Sequence, residues 1–148
     1  RGLGDVYKRQ ILDLPPGTGD IQLTIVQTAE LDGVVVVTTP QEVALIDARK
    51  AIGLFERVET PILGIIENMS YFQCPSDGKI YHIFGEGGGE REAAKLGVPL
   101  LGKIPLDIST RFGGDEGRPV ALEDPGQNPV SAAFRQVAEQ CARVVLDR

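Results

Sequence analysis

A carboxylate followed by a constrained turn is the first feature of the sequence that could do chemistry. Asp13 ends the apolar start of the stretch ILDLPPGTGD (11–20). Pro15 and Pro16 fix φ and remove two backbone donors, whereas Gly17 lets a ligand approach the backbone closely. A carboxylate suits Mg²⁺, and a free N–H at Gly17 can meet a phosphate. The turn therefore indicates a phosphate–metal site, with an ordinary strand–turn–helix connection as the alternative.

Four apolar runs could position such a site. They are ILDL (11–14), GVVVVTT (33–39), PILGIIENM (61–69) and VPLLGKIP (98–105), with helix-patterned segments between them. This alternation predicts βαβ units and an α/β fold, a doubly wound and mostly parallel sheet with flanking helices. Ligands of such sheets bind beyond the carboxyl ends of the strands. The residues expected at those ends are Asp13, Thr38, Thr39, Asn68, Pro105 and Asp107.

Helix start and stop signals lie between and after the runs. Asp20 is suited to cap a helix that extends to about Ala29, and TPQE (39–42) has the pattern of a capping box. In the helix after this box, alanines and Phe55 recur at spacings of three and four, which predicts a buried stripe. EREAAKLG (90–97) predicts a helix that Gly97 ends. Asn128 and Pro129 open a last amphipathic helix, with one face predicted to be core.

Composition limits the classes of function. The chain has 148 residues, 42% of them hydrophobic, and a net charge of −6, which suits one globular domain. The negative charge argues against nucleic-acid or anionic-membrane partners, and no apolar run is long enough to span a bilayer. The two cysteines form no disulfide framework, so a cytoplasmic location is expected. Residues 1–10 interrupt the apolar pattern and are interpreted as a non-native or artefactual segment, or a solvated arm.

The motifs together resemble a known family. DLPPGTGD, VVVVTTPQEVALIDARKA, GIIENMSYF, IFGEGGGE and LLGKIPLD occur in this order. The series is similar to the Mrp-type iron–sulfur cluster carrier ATPases, in the deviant-Walker-A branch of P-loop NTPases with MinD, ParA and the nitrogenase iron protein. The resemblance covers nearly all of residues 11–148. It implies an ATP-dependent cluster carrier that uses ATP and Mg²⁺, acts as a homodimer and delivers clusters to apo iron–sulfur proteins.

The resemblance also implies roles for individual residues. Asp13 and Gly17 would belong to the switch II region that meets Mg²⁺ and the γ-phosphate. Asn68 would hydrogen-bond the adenine, and Pro105 and Asp107 would line the base pocket. Asp47 would face the nucleotide or the dimer partner. From the residues alone, Asn68 could close an Asx turn, Asp107 could cap a helix, and Asp47 could be a solvated residue.

Two departures from the family are visible. The glycine-rich loop with two lysines that cradles phosphates is absent from the sequence. Residues 11–148 are therefore expected to be the C-terminal part of a P-loop NTPase domain, with negligible ATP affinity and turnover in isolation. Cluster-carrying members also place a Cys-x-x-Cys after the NMSYF segment. Here Cys74 is present, but Asp77 occupies the second position, and a carboxylate is a harder ligand for iron.

Three further features have more than one interpretation. Cys74 could be a [4Fe–4S] ligand, with Asp77 or His82 adding to it, or simply a loop thiol. His82 is also expected on a hairpin around Gly78, and Cys141 on the core face of the last helix. The glycine run before residue 90 could bind an anion at a helix N-terminus or be a flexible loop.

Two rival functions remain at this point. A positioning ATPase of the MinD/ParA type would act by ATP-dependent dimerisation on a membrane or on DNA. The PPGTGD turn, the Cys74 loop and the core-like last helix argue against it. A non-enzymatic α/β module would keep the dimer surface and lack the nucleotide site.

Overall fold

A three-stranded parallel sheet organises the protein. The computed structural model describes residues 10–15 and 19–146. The strands are β1 (Val34–Thr38), β2 (Ile62–Glu67) and, after a hairpin, β5 (Leu100–Lys103), and their order in the sheet is β1-β2-β5. Helix α2 (Glu42–Arg57) connects β1 to β2, and helix α3 (Gly88–Leu96) precedes β5. The predicted parallel α/β fold with flanking helices is confirmed.

The remaining elements surround this sheet. A short antiparallel hairpin, with strands β3 (Phe72–Gln73) and β4 (Ile80–Tyr81), turns around Gly78 as predicted. Phe72 also forms an isolated parallel bridge with Leu106. The hairpin is thereby attached beyond the end of β5. Within the described residues, no helix is long and apolar enough to cross a membrane. The other elements are α1 (Asp20–Thr28), α4 (Ile108–Asp115), a 3-10 turn (Val120–Leu122) and α5 (Pro129–Leu146).

The core lies on both faces of the sheet. Ile65 and Ile66 are neighbours in β2, so their side chains point to opposite faces. Ile65 is fully buried in a cluster with Val36, Ile52 and Ala93, on the side of α2 and α3. Ile66 lies in a second cluster on the side of α5, together with Leu101, Ile104, Val120, Val130 and Val137. The predicted core face of α5 is confirmed, and Cys141 packs against this second cluster.

One predicted strand is wrong. Residues 11–14 pair with no strand in the described part of the chain, and Ile11 is 96% exposed. An apolar run favours a buried strand only where a neighbouring strand can accept its backbone hydrogen bonds. The sheet of described strands ends at β1, whose Val37 is also exposed.

Two predicted helix starts are shifted. Asp20 is the first helical residue of α1 and Gly19 is its N-cap, so Asp20 does not cap the helix. Helix α2 begins at Glu42 with Gln41 as its N-cap, so the predicted capping box does not form. The Glu42 carboxylate binds Arg49, two turns further along the same helix, at 2.7 Å instead of turning back to the helix start.

The other helix signals hold. Gly97 ends α3 in the left-handed conformation, and the Asn128 side chain accepts the Val130 and Ser131 amides at the start of α5. In α2 the buried residues are Leu45, Ile52 and Phe55. The predicted buried stripe is therefore correct at Phe55. Its alanines are only partly buried, and the neighbouring positions Leu45 and Ile52 are buried instead.

An ion-pair network joins α2 to α3. Arg49 Nε and Nη2 donate to the two carboxylate oxygens of Glu92 at 2.9 and 2.6 Å, and Lys95 Nζ adds a contact of 2.8 Å. The Glu92 side chain is almost fully buried. Chiefly because of the Arg49 hydrogen bonds, the pKa of Glu92 is lowered from 4.5 to about 2.

We expect Glu92→Gln to lower the free energy of unfolding by about 2 kcal/mol at pH 7, because a two-point charged contact is lost. The folded-state pKa lies below the unfolded one, so this contribution is complete above pH 4.5 and disappears as the pH falls towards 2. Urea unfolding at pH 7 and pH 3 measures it. Glu116→Gln, which removes an exposed pair with Arg118, is the control. An equal difference between wild type and Glu92→Gln at both pH values contradicts the assignment.

Candidate functional site

The carboxyl ends of the three strands are joined by backbone hydrogen bonds. The Asn68 amide donates to the Thr38 carbonyl at 2.8 Å, and the Ile104 amide donates to the Glu67 carbonyl at 2.9 Å. The chain that follows β1, β2 and β5 therefore meets at one edge of the sheet. The structure thus brings together the predicted segments at Thr38, Asn68 and Pro105.

Asn68 makes a local hydrogen bond at this edge. Its Oδ1 accepts the amide of Met69 at 2.9 Å, and Met69 has a left-handed φ of 52°. The predicted Asx turn does not form, because it would use the amide of Ser70, which donates to the Ile104 carbonyl at 3.0 Å instead. The Nδ2 group is then the donor that Asn68 can offer to a ligand.

Asp107 caps helix α4. Its Oδ1 accepts the Ser109 amide at 2.7 Å and the Thr110 amide at 3.3 Å. The predicted capping role is confirmed. Asp107 follows Pro105 by two residues, at the point where the chain leaves β5.

A cleft of about 300 Å³ lies beside this cap. Its lining includes Tyr71, Cys74, Pro105, Asp107 and Val130. The predicted adenine-binding residue Asn68 does not line this cleft. The cleft therefore places the two predicted base-pocket residues next to the cysteine of the hairpin. No sequence pattern indicates this proximity, because it depends on the bridge between Phe72 and Leu106.

Cys74 lies in a hydrogen-bonded hairpin. Its amide donates to the Lys79 carbonyl at 2.9 Å, and its carbonyl accepts the Gly78 amide at 2.8 Å. The Sγ atom lies 3.0 Å from Ser76 Oγ. This hydrogen bond to Ser76 is the main reason that the pKa of Cys74 is lowered. A lowered thiol pKa favours the thiolate, the form that binds metals.

Asp77 and His82 are engaged in the same region. Asp77 Oδ1 accepts the Lys79 amide at 3.0 Å, which closes an Asx turn. His82 Nδ1 lies 3.3 Å from the Ser70 carbonyl, and its Nε2 lies 3.6 Å from Glu86. Within the described part of the chain, no group of three or more His, Cys, Asp or Glu side chains is arranged to hold a metal ion. A metal at Cys74 therefore needs ligands from outside this hairpin.

The two cysteines should react at different rates with iodoacetamide. Burial raises the pKa of Cys141, whereas the Ser76 contact lowers that of Cys74. We expect Cys74 to be alkylated about tenfold faster at pH 7.5, because the thiolate is the reactive form. Peptide mass spectrometry after timed quenching measures both rates, and Ser76→Ala should reduce the difference. Equal rates in the native protein contradict the assigned environments.

The remaining predicted site residues are not brought into this cleft. Asp13 is exposed, and Gly17 lies outside the described residues. Asp47 is exposed on α2, where it pairs with Lys50 at 2.9 Å. Their roles toward a nucleotide stay predictions.

The last glycines of the run serve close packing, because Gly88 and Gly89 form the first turn of α3, which begins two residues before its predicted start. A Cβ atom at Gly88 would lie 2.6 Å from the Pro40 carbonyl oxygen, and one at Gly89 would lie 3.1 Å from the Glu67 side chain. The Gly89 amide donates to Glu67 Oε2 at 2.6 Å. The N-terminus of α3 is therefore occupied by an internal carboxylate. Sequence reasoning missed Glu67, although an acid directly after the apolar run LGII was a signal comparable to that at Asp13.

Comparison with known proteins identifies similar sequences over most of the chain. A ParA family model, described as NUBPL iron-transfer P-loop NTPase, matches residues 8–142. An iron–sulfur cluster carrier protein of Pyrococcus furiosus is 49% identical over 93% of this chain and 48% of its own length. The carrier protein of Escherichia coli is 51% identical over 89% of this chain and 36% of its own length. The chain thus spans about half or less of the length of these relatives.

Solved structures agree with the fold. A nucleotide-binding protein from Archaeoglobus fulgidus, in complex with ADP, is 44% identical with a TM-score of 0.63, over 71% of this chain and 43% of that one. The cell division ATPase MinD of Pyrococcus furiosus is 26% identical with a TM-score of 0.58, over 76% of this chain and 43% of that one.

Proposed function

Because the chain belongs to the NUBPL-type iron-transfer P-loop NTPases of the ParA family, we propose that it acts in an iron–sulfur cluster carrier. In this carrier, ATP binding and hydrolysis control cluster loading or release. The observation that carries the proposal is the position of Cys74. Its thiol, with a lowered pKa, lies on a hairpin attached to the carboxyl-terminal edge of the sheet. Ligands of parallel α/β proteins bind at this edge.

The cluster is the cargo, and a second copy of the chain completes its site. Iron–sulfur clusters are usually held by four cysteine thiolates. Each chain offers Cys74, while the Asp77 carboxylate is used in the turn at Lys79. A two-fold homodimer then supplies two thiolates, a weaker attachment that suits transfer to an apo iron–sulfur protein. Exposed apolar side chains of the hairpin, Ile80, Tyr81 and Ile83, provide the surface for the partner copy.

The nucleotide would bind at the same edge of the sheet. Asn68 Nδ2 offers a hydrogen-bond donor that suits the acceptor nitrogens of adenine, and Pro105 and Asp107 lie near the end of β5. Asp13 provides a carboxylate oxygen of the type that Mg²⁺ prefers, with Gly17 four residues further along the chain. Asp47 would face the nucleotide or the partner copy. Bound Mg²⁺–ATP would supply the free energy that changes the state of the switch II turn.

Cluster transfer tests this function directly. The chain is reconstituted anaerobically with iron and sulfide, separated from free iron and mixed with an apo-ferredoxin acceptor. We expect the acceptor to gain its cluster spectrum faster than with equal amounts of free iron and sulfide, and a chelator in solution should not prevent this. Transfer that the chelator abolishes, or that is no faster than with free iron, contradicts a carrier role.

A further inference from the structure

A fully buried carboxylate lies at the end of the central strand. Glu67 is the last residue of β2 and has 0% exposure. Its Oε1 accepts the Ser70 hydroxyl at 2.5 Å, and its Oε2 accepts the Gly89 amide at 2.6 Å. Burying a carboxylate is costly unless hydrogen bonds replace the lost water. Here each carboxylate oxygen has its own donor.

The two donors belong to different parts of the site. Ser70 opens the segment that leads to the Cys74 hairpin, and its carbonyl contacts His82 after the second strand of that hairpin. Gly89 lies in the first turn of α3, and its lack of a side chain lets the helix approach Glu67 closely. Glu67 itself directly precedes Asn68 at the sheet edge. One carboxylate therefore holds the hairpin and α3 against the end of β2.

We propose that Glu67 is a positioning residue that fixes the Cys74 hairpin and the N-terminus of α3 to the nucleotide-facing end of β2. The purpose of this link rests on the proposed function, because it would connect the nucleotide edge with the cluster loop. The physical link does not depend on that function, because it consists of the hydrogen bonds from Ser70 and Gly89 to Glu67. Lys103, aligned with Glu67 on β5, binds Glu90 at 3.0 Å and attaches α3 to the sheet independently.

Amide hydrogen exchange in the metal-free full chain tests the link. Three amides report on it: Gly89 for α3, Cys74 within the hairpin, and Leu106, which donates to the Tyr71 carbonyl. We expect Glu67→Gln to accelerate exchange at all three amides by about five- to tenfold relative to core amides. The reason is that the hydrogen bonds from Ser70 and from Gly89 to Glu67 are each weakened or lost. Ser70→Ala should accelerate Cys74 and Leu106 similarly and leave Gly89 unchanged.

Two further variants separate positioning from general destabilisation. The double variant Glu67→Gln with Ser70→Ala should show no more acceleration at Cys74 and Leu106 than Glu67→Gln alone, because both changes remove the same contact. Glu90→Gln makes the same chemical change on the next residue of α3 and should leave Cys74 and Leu106 unchanged.

The proposal is overturned if exchange rises equally at core amides such as Ile65, or if Ser70→Ala leaves the hairpin amides at their wild-type rates. If Glu67→Gln does not fold, hydrogen exchange in Ser70→Ala alone supports or overturns the link between Glu67 and the Cys74 hairpin. Because this experiment uses neither cluster nor nucleotide, its failure is distinct from failure of cluster transfer.

Discussion

Replacing Cys74 with serine is expected to abolish cluster retention after anaerobic reconstitution. Cys74 is the one cysteine of the hairpin, and a serine hydroxyl is a much poorer ligand for cluster iron than a thiolate. Iron and acid-labile sulfide that remain with the protein after gel filtration should fall by about tenfold or more, to the level of nonspecific binding.

The second cysteine supplies the matched control. Cys141 packs against the core cluster under α5, so Cys141→Ser should retain the wild-type amount of iron at a small cost in stability. The reciprocal variant, Asp77→Cys, adds a thiolate in the same turn and should slow loss of the cluster to a chelator. Equal iron in the Cys74→Ser and wild-type proteins contradicts the assignment of the cluster site.

Replacing Gly64 with alanine is expected to produce the largest loss of stability. Gly64 lies in the middle of β2, and a Cβ atom there would lie 2.6 Å from Leu101 Cγ and 2.7 Å from the Pro99 carbonyl oxygen. Relieving these contacts requires movement of β5, which packs against β2. We expect the free energy of unfolding to fall by about 3 kcal/mol, a large part of the stability of a small domain.

A second glycine makes the comparison specific. A Cβ atom at Gly53 in α2 would have no neighbour within 4 Å, so Gly53→Ala should stabilise the helix by up to about 1 kcal/mol. Urea unfolding of both variants at pH 7 measures the two effects. Equal stabilities of Gly64→Ala and the native protein would show that β2 and β5 are not packed as described.

The strands were predictable where an apolar run also has a neighbouring strand to pair with. The runs that form β1, β2 and β5 satisfy both conditions. The run at 11–14 satisfies only the first, so its strand was predicted in error. The capping box before α2 failed for a different, local reason. The pattern offers Glu42 a backbone amide at the helix start, but Arg49, two turns further along the same helix, offers a charged partner.

The site was predictable residue by residue but not as an arrangement. The carboxyl ends of parallel strands meet by topology, which is why Thr38, Asn68 and Pro105 could be expected at one edge. The approach of Cys74 to Pro105 and Asp107 depends on how the 70–82 segment folds back onto β5. Glu67 follows an apolar run as Asp13 does, but the sequence pattern does not show that its carboxylate is buried and hydrogen-bonded at both oxygens. Its two hydrogen-bond donors come from segments 3 and 22 residues away.

Native mass spectrometry of the reconstituted protein shows whether the Cys74 residues of two copies share one cluster. We expect a species containing two chains and one iron–sulfur cluster, together with cluster-free single chains, and loss of the two-chain species in Cys74→Ser. A cluster bound to single chains, or a two-chain species that persists with its cluster in Cys74→Ser, would contradict a site shared by two copies.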